Sequence, residues 1–205
     1  LTFHGVNMLL YWMILFEIAI LYFCSSTLLR CRIAAPKIAW FGFALMVLGI
    51  IINNAAILNG DASVMMTSYV PMPANPNFYL GLILFAVGAL IGCFIFFATL
   101  VVAKDENTYE GSIPLVTFGA LTACIIAVFT IASGAIVLVP TWLWSLGLVN
   151  NIDAAMYRVV WWALGHSSQQ INVAAHVSVW YAIAAIVFGA RPMSEKVSRT
   201  AFFLY

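Results

Sequence analysis

From Asn77 to Ala103 the chain reads NFYLGLILFAVGALIGCFIFFATLVVA, without a single charged side chain. A helix rises about 1.5 Å per residue, and about 20 apolar residues are enough to cross a hydrocarbon core roughly 30 Å thick. A run this long and this apolar has no polar face to turn toward water. Four further runs, at 1–29, 38–59, 113–140 and 156–189, meet the same length test, and a sixth begins near Val197. Between them lie segments rich in turn-forming and charged residues: RCRIAAPK, NGDASVMMTSYVPMPANPN, KDENTYEGSIP and NNID. The expected fold class is all-α, a polytopic transmembrane helical bundle of five spans plus the start of a sixth. Residues 1–205 form a single transmembrane domain, with no internal repeat.

Composition agrees. The chain is 65% hydrophobic and 7% charged, whereas a soluble domain carries roughly 25% charged residues. Too little polar surface is left to cover a water-soluble globule. A net charge of +1 and the lack of a glycine-rich phosphate loop give no reason to expect nucleic acid or nucleotide. Cys24, Cys31, Cys93 and Cys124 are scattered, with no CxxC spacing; they read as small hydrophobes rather than as disulfides or a zinc site. No segment reads as a cleavable signal peptide, and a chain opening on Leu1 directly into a span is expected to be an excerpt of a longer polypeptide.

The loops give an orientation. Arg30, Arg32, Lys37, Lys104, Arg191, Lys196 and Arg199 fall in loops on one side, and only Arg158 falls on the other. By the positive-inside rule, the first and fifth spans both begin outside. His4 then sits near the outer end of the first span. His166, about ten residues into the fifth, lies of order 15 Å along its axis. Both are in the outer half of the bilayer, where they could serve cofactors at similar depth.

The fifth span carries the polar anomaly, in WWALGHSSQQINVAAHVSVWYAI. A polar side chain in hydrocarbon is costly and normally faces a bundle interior or a cavity. On a helical wheel His166 and Gln170 stack one turn apart, Gln169, Asn172 and His176 form an adjacent strip, and Tyr181 returns to the His166 side further inward. Ile171, Ala174, Ala175 and Ser178 fill the opposite half. Periodicity alone leaves His166 open between a metal ligand and a hydrogen-bonded packing residue. His4 by itself reads as an interfacial hydrogen-bonder. Glu17, midway along the first span with no cation near it in sequence, either stays neutral because burial penalises its charge or belongs to a proton path. Asn53 and Asn54 are expected to bond backbone or neighbouring helices. Trp142 and Trp144 read as anchors at the outer boundary.

With LTFHG at 1–5, FYLG at 78–81, PLVTF at 114–118 and WLWSLGLVNNIDAAMYRVVWWALGH at 142–166, the chain resembles subunit I of the heme-copper oxidases, most closely the B-type branch. The order and spacing of these segments agree over essentially the whole sequence. The resemblance implies a subunit of twelve or more helices, of which this chain carries the second through sixth and the start of the seventh. It implies that His4 ligates the iron of a low-spin heme. It implies that His166 ligates the second metal of a binuclear centre, copper B or a non-heme iron, beside a high-spin heme whose own ligand lies outside these residues. Neutral imidazole suits both metals. It further implies a multi-pass protein of a prokaryotic plasma membrane. A cupredoxin-type subunit II, often with a di-copper centre, would dock on its outer face, and cytochrome c, a cupredoxin or a quinol would be the electron donor.

One departure bears on the substrate. Oxidases of this family read His-Pro-x-x-Tyr, with the tyrosine cross-linked to the histidine; this chain reads His166-Ser-Ser-Gln-Gln170. Tyrosine can release a proton and an electron together, and glutamine can do neither. Ser168 stands where A-type members carry a proton-entry glutamate. Nitric oxide reductase branches also lack that tyrosine, and Gln170 could offer a neutral oxygen to a metal. The expectation is therefore a nitric oxide reductase-like enzyme on a B-type scaffold, with oxidase-type reduction of dioxygen to water, coupled to proton translocation, as the alternative. Tyr181, His176 and Glu17 are candidates for a proton path, and His176 also for a hydrogen-bonded pair with Asn172. An electron-transfer b-type cytochrome would use His4 but leave the His166 strip without purpose. A transporter would use the strip and bind no heme.

Overall fold

The computed structural model describes residues 1–205. Five long helices run in chain order: α1 (Thr2–Thr27), α2 (Pro36–Leu58), α3 (Pro76–Asp105), α4 (Leu115–Ser145) and α5 (Ala154–Phe188). A short α6 (Glu195–Phe202) follows. All five long helices are long and apolar enough to cross a membrane. The helix starts are written in the sequence. Pro36 and Pro76 occupy the first turns of α2 and α3, where a missing N–H costs nothing. The Asn75 side chain accepts from the Asn77 amide, and Asp153 accepts from the amides of Ala155 and Met156, capping α3 and α5. Gly189, at φ 62°, closes α5 in the left-handed conformation.

Packing is closest between α2 and α3. Gly42 and Gly49 on one helix face Gly88 and Gly81 on the other, and a methyl group on Gly49 would come within 2.5 Å of the Gly81 carbonyl oxygen. The two backbones meet directly, as small-residue interfaces in membranes allow. Both asparagines of α2 are used as expected. The Asn53 amide donates to the Phe78 carbonyl at 2.7 Å, and Asn54 exchanges amide hydrogen bonds with Asn7 of α1 at 2.8 and 2.9 Å. α4 and α5 form the second close pair, and α1 lies against α3, α4 and α5.

Two features depart from the sequence-based expectation. α4 does not stop at residue 140 but runs through Pro140 to Ser145. A proline removes one N–H and crowds the carbonyl four residues back, yet the turn continues, with the Thr141 hydroxyl donating to the Val137 carbonyl at 2.8 Å. Trp142 and Trp144 fall in the last turn of this helix, half-buried, each packed against a hydrophobic cluster of the bundle. Second, α1 is not a uniform α-helix, because Asn7–Trp12 and Phe23–Thr27 are π-helical. In each segment a polar side chain donates to the carbonyl four residues back, Asn7 to Phe3 at 2.8 Å and Ser25 to Leu21 at 2.8 Å. That bond competes with the backbone N–H for the same oxygen.

The outer loop between α2 and α3 folds over the bundle. The Thr2 hydroxyl accepts from the Met65 amide at 2.9 Å, and Ser68 and Tyr157 share a buried hydroxyl hydrogen bond at 2.9 Å. The Arg158 guanidinium sits over the Tyr69 ring at 4.9 Å. On the inner side the thiol of Cys31 is held above its ordinary pKa, by burial first and then by the Glu106 carboxylate.

Candidate metal centre

The wheel reading of α5 holds in three dimensions. Ile171, Ala174, Ala175 and Ser178 are buried against the bundle, whereas His166 and Gln169 are exposed on the opposite face. On α1 the residues His4, Met8, Trp12 and Phe16, four apart, form an exposed stripe of their own. Four-residue steps along a pure α-helix drift about 40° each, which would carry His4 about 120° from Phe16; the extra residue of a π turn takes back about 100° of that. The π segment Asn7–Trp12 therefore keeps His4 on the face that Phe16 shares.

The two stripes meet where the Phe16 ring lies 6.1 Å from the His176 ring. α1 and α5 are separated by three crossings and run in the same direction. His4 stands twelve positions before Phe16, and His166 ten before His176, so they lie about 18 Å and about 15 Å above that contact. The two imidazoles thus stand at nearly one height beside the α1–α5 seam, His4 on the stripe that reaches it and His166 about 80° around α5 from His176.

Their chemical states differ. His4 is exposed and its ring makes no hydrogen bond within the chain. His166 Nε2 is 3.2 Å from the side-chain nitrogen of Gln170, so one ring nitrogen is engaged and Nδ1 is free. A ligating histidine is usually oriented by donating its other ring N–H to an acceptor. If the amide is turned to present its oxygen, Nε2 carries the proton and Nδ1 keeps its lone pair for a metal. Gln170 thus reaches back to the histidine rather than outward, and its fit is that of an orienting group. No cluster of three or more His, Cys, Asp or Glu forms within the chain. Each histidine stands as a single donor, and a complete coordination sphere needs side chains from other helices. As single neutral imidazole donors on an outward face, both fit such a role.

The remaining candidates separate from this seam. His176 Nδ1 donates to the Asn172 backbone carbonyl at 2.6 Å; the pair forms, through the main chain and not the amide. Tyr181 donates to Ser198 of α6 at 2.8 Å, which ties it to the inner end of the bundle. Glu17 faces the interior, 7% exposed, with one carboxyl oxygen unpartnered. Sequence reasoning missed the π segments and the docked outer loop beside His4. Asn7 and Ser25 are the only local hints of the former, and the latter has no short-range signal.

With five crossings and a chain this apolar, the molecule is an integral, multi-pass membrane protein. The chain belongs to the family described as Cytochrome C and Quinol oxidase polypeptide I, which matches residues 1–205. It is similar to cytochrome c oxidase subunit 1 of Thermus thermophilus, at 25% identity over 209 residues, covering 100% of this chain and 36% of that protein. It is also similar to a subunit of a heme-copper terminal oxidase dimer solved by cryo-EM. There the TM-score is 0.92 and the identity 26%, covering 100% of this chain and 36% of that one. The expected resemblance to heme-copper oxidase subunit I is thereby established, and the chain spans about a third of the length of these relatives.

Proposed function

We propose that this chain forms part of the catalytic subunit of a heme-copper reductase in a prokaryotic plasma membrane and that its substrate is nitric oxide, reduced to nitrous oxide. His4 would hold the low-spin heme iron and His166 the second metal, copper B or a non-heme iron, next to a high-spin heme ligated from elsewhere. These cofactors, when bound, supply the electrons and the electrophilic site at which the gas is reduced. The chain's own residues do the rest. With its amide oxygen turned to the ring, Gln170 would fix the orientation and tautomer of His166. The apolar faces of α1 and α5 exclude bulk water from the seam. A cupredoxin-type subunit II docked on the outer face, with cytochrome c, a cupredoxin or a quinol behind it, would deliver electrons.

The observation that carries the choice of gas is the Gln170 amide at 3.2 Å from His166 Nε2. An amide can orient the imidazole but can release neither a proton nor an electron. Joining two nitric oxide molecules takes two electrons and two protons and breaks no dioxygen bond, so no redox-active side chain is needed at residue 170. A second reading, reduction of dioxygen to water, is favoured by both similar proteins being described as oxidases. Turnover of the purified, reduced complex separates the two. Nitrous oxide formation with slow dioxygen consumption is expected; fast dioxygen consumption with negligible nitrous oxide defeats the nitric oxide reading.

A further inference from the structure

Inside the bundle, away from the histidine seam, Glu17 lines a cavity of about 40 Å³ between α1, α3, α4 and α5. Its other polar walls are Ser168 and Thr130, and the thiols of Cys93 and Cys124 are the only other titratable groups around it. A cavity needs roughly 10–15 Å³ and two to four polar partners to hold a water, and this one meets both conditions. The hydrogen-bond directions are informative. Ser168 donates to the Gly165 carbonyl at 2.7 Å, Thr130 donates to the Ile126 carbonyl at 2.8 Å, and Cys124 donates to the Cys93 carbonyl. Each hydroxyl has spent its proton on the backbone and keeps only lone pairs for the cavity. An oxygen of Glu17 is buried there without a partner, and an ionised carboxylate in such surroundings is costly. A protonated Glu17 supplies the missing oxygen-bound donor; beside it only the weak S–H of Cys93 is left uncommitted to the backbone.

Ser168 and Thr130 are also walls of a second cavity, of about 70 Å³, which continues outward past Leu164 and Trp161 to Ser68. The two cavities share these hydroxyls, and Ser168 is two residues from His166. We propose that Glu17 is the internal proton donor of this protein, passing its proton across the smaller cavity to Ser168 at the height of His166. The carboxyl O–H bond breaks, a cavity water takes that proton and gives one of its own to Ser168 Oγ, and the hydroxyl turns from Gly165 to release its original proton outward. One proton moves and no electron does. The carboxylate left behind is refilled from the inner side. The proposal rests on the reading of the chain as part of a proton-consuming reductase, and it is the same for either gas.

The test uses the full-length holoenzyme with wild-type, Glu17→Gln, Glu17→Asp and Glu17→Gln/Ser168→Glu proteins. Heme absorbance and reduction of the low-spin heme report assembly, a pH-indicating dye follows proton uptake in a single turnover, and infrared difference spectra follow protonated carboxyls. Glu17→Gln is expected to keep heme and its reduction while slowing proton uptake by about 100-fold, with loss of a turnover-linked carboxyl band. The double variant, with the carboxyl on the opposite wall of the same cavity, is expected to regain much of the rate. Wild-type proton uptake in Glu17→Gln overturns the proposal. If Glu17→Gln fails to assemble, Glu17→Asp decides: a turnover-linked carboxyl band shifted by that substitution supports the donor role, and its absence overturns it. Failure to form nitrous oxide would remove the proposed substrate and leave these readouts intact.

Discussion

The α2–α3 interface and the outer face of α5 are both helix surfaces in an apolar chain, yet they are built on opposite rules. Between α2 and α3 the side chains shrink to glycine, the backbones touch, and one amide, Asn53, bonds a carbonyl across the gap. On α5 the outward surface carries an imidazole and an amide, His166 and Gln169, that the five helices leave exposed. The first arrangement is complete within the chain, and the second is complete only with something more. Close packing in a membrane gains contact area with no hydrophobic drive, so an interface that matters for stability becomes small and tight. Polar groups left on an exposed face carry a cost with no packing return, and such a cost persists where chemistry requires it.

The sharpest way to break this contrast is to remove the imidazoles. His166→Ala in the full-length protein is expected to lose the second metal by elemental analysis and to abolish gas reduction while leaving low-spin heme absorbance. His4→Ala should do the reverse to the heme. If both variants keep full cofactor content, α5 is an ordinary surface after all. Next in size is Gly81→Leu, which places a branched side chain against the α2 backbone. Overpacking costs about 1–3 kcal/mol, to be read as a lower melting temperature of the detergent-solubilised protein, with cofactor spectra unchanged in the fraction that survives. Gln170→Ala tests the orienting amide: metal affinity should fall by about 10–100-fold, measured by chelator competition, without loss of heme. Tyr181→Phe, which removes a hydroxyl bonded to Ser198 at the inner end, should change turnover least. Any large slowing of proton uptake there would place Tyr181 in a proton path.

A smaller prediction concerns pH. The Cys31 thiol is raised above its ordinary pKa by burial and by Glu106, so its neutral form is favoured by folding. That contribution is complete below the ordinary thiol pKa and fades as pH rises through the folded value. Alkylation of Cys31 at neutral pH should be slower than for a free cysteine, and Glu106→Gln should speed it.

Much of this was legible from residue order. Runs such as Asn77–Ala103 leave no alternative to a span, and the 100° wheel divides α5 into the faces the structure shows. Asn54 and the amide nitrogen of Asn53 find helix partners, because an unpaired N–H in hydrocarbon has no other relief. Three things were hidden. The passage of α4 through Pro140 depends on how the surrounding turn tolerates a missing donor, which local propensity misses. The cavity joining Glu17 to Ser168 is a relation between residues far apart in sequence, visible only when four helices are in place. The π turns of α1 depend on a competition for single carbonyls that no periodicity reports.

Those turns carry a lesson about how position is encoded. Rewinding Asn7–Trp12 as plain α-helix, with no residue removed, would give a smoother, equally greasy rod that inserts as readily as before. Its tip, however, would point about 100° astray, and the His4 ring would leave the face it shares with Phe16. Entering the bilayer and aiming a side chain are thus specified separately, the first by many interchangeable residues and the second by the winding of a single turn.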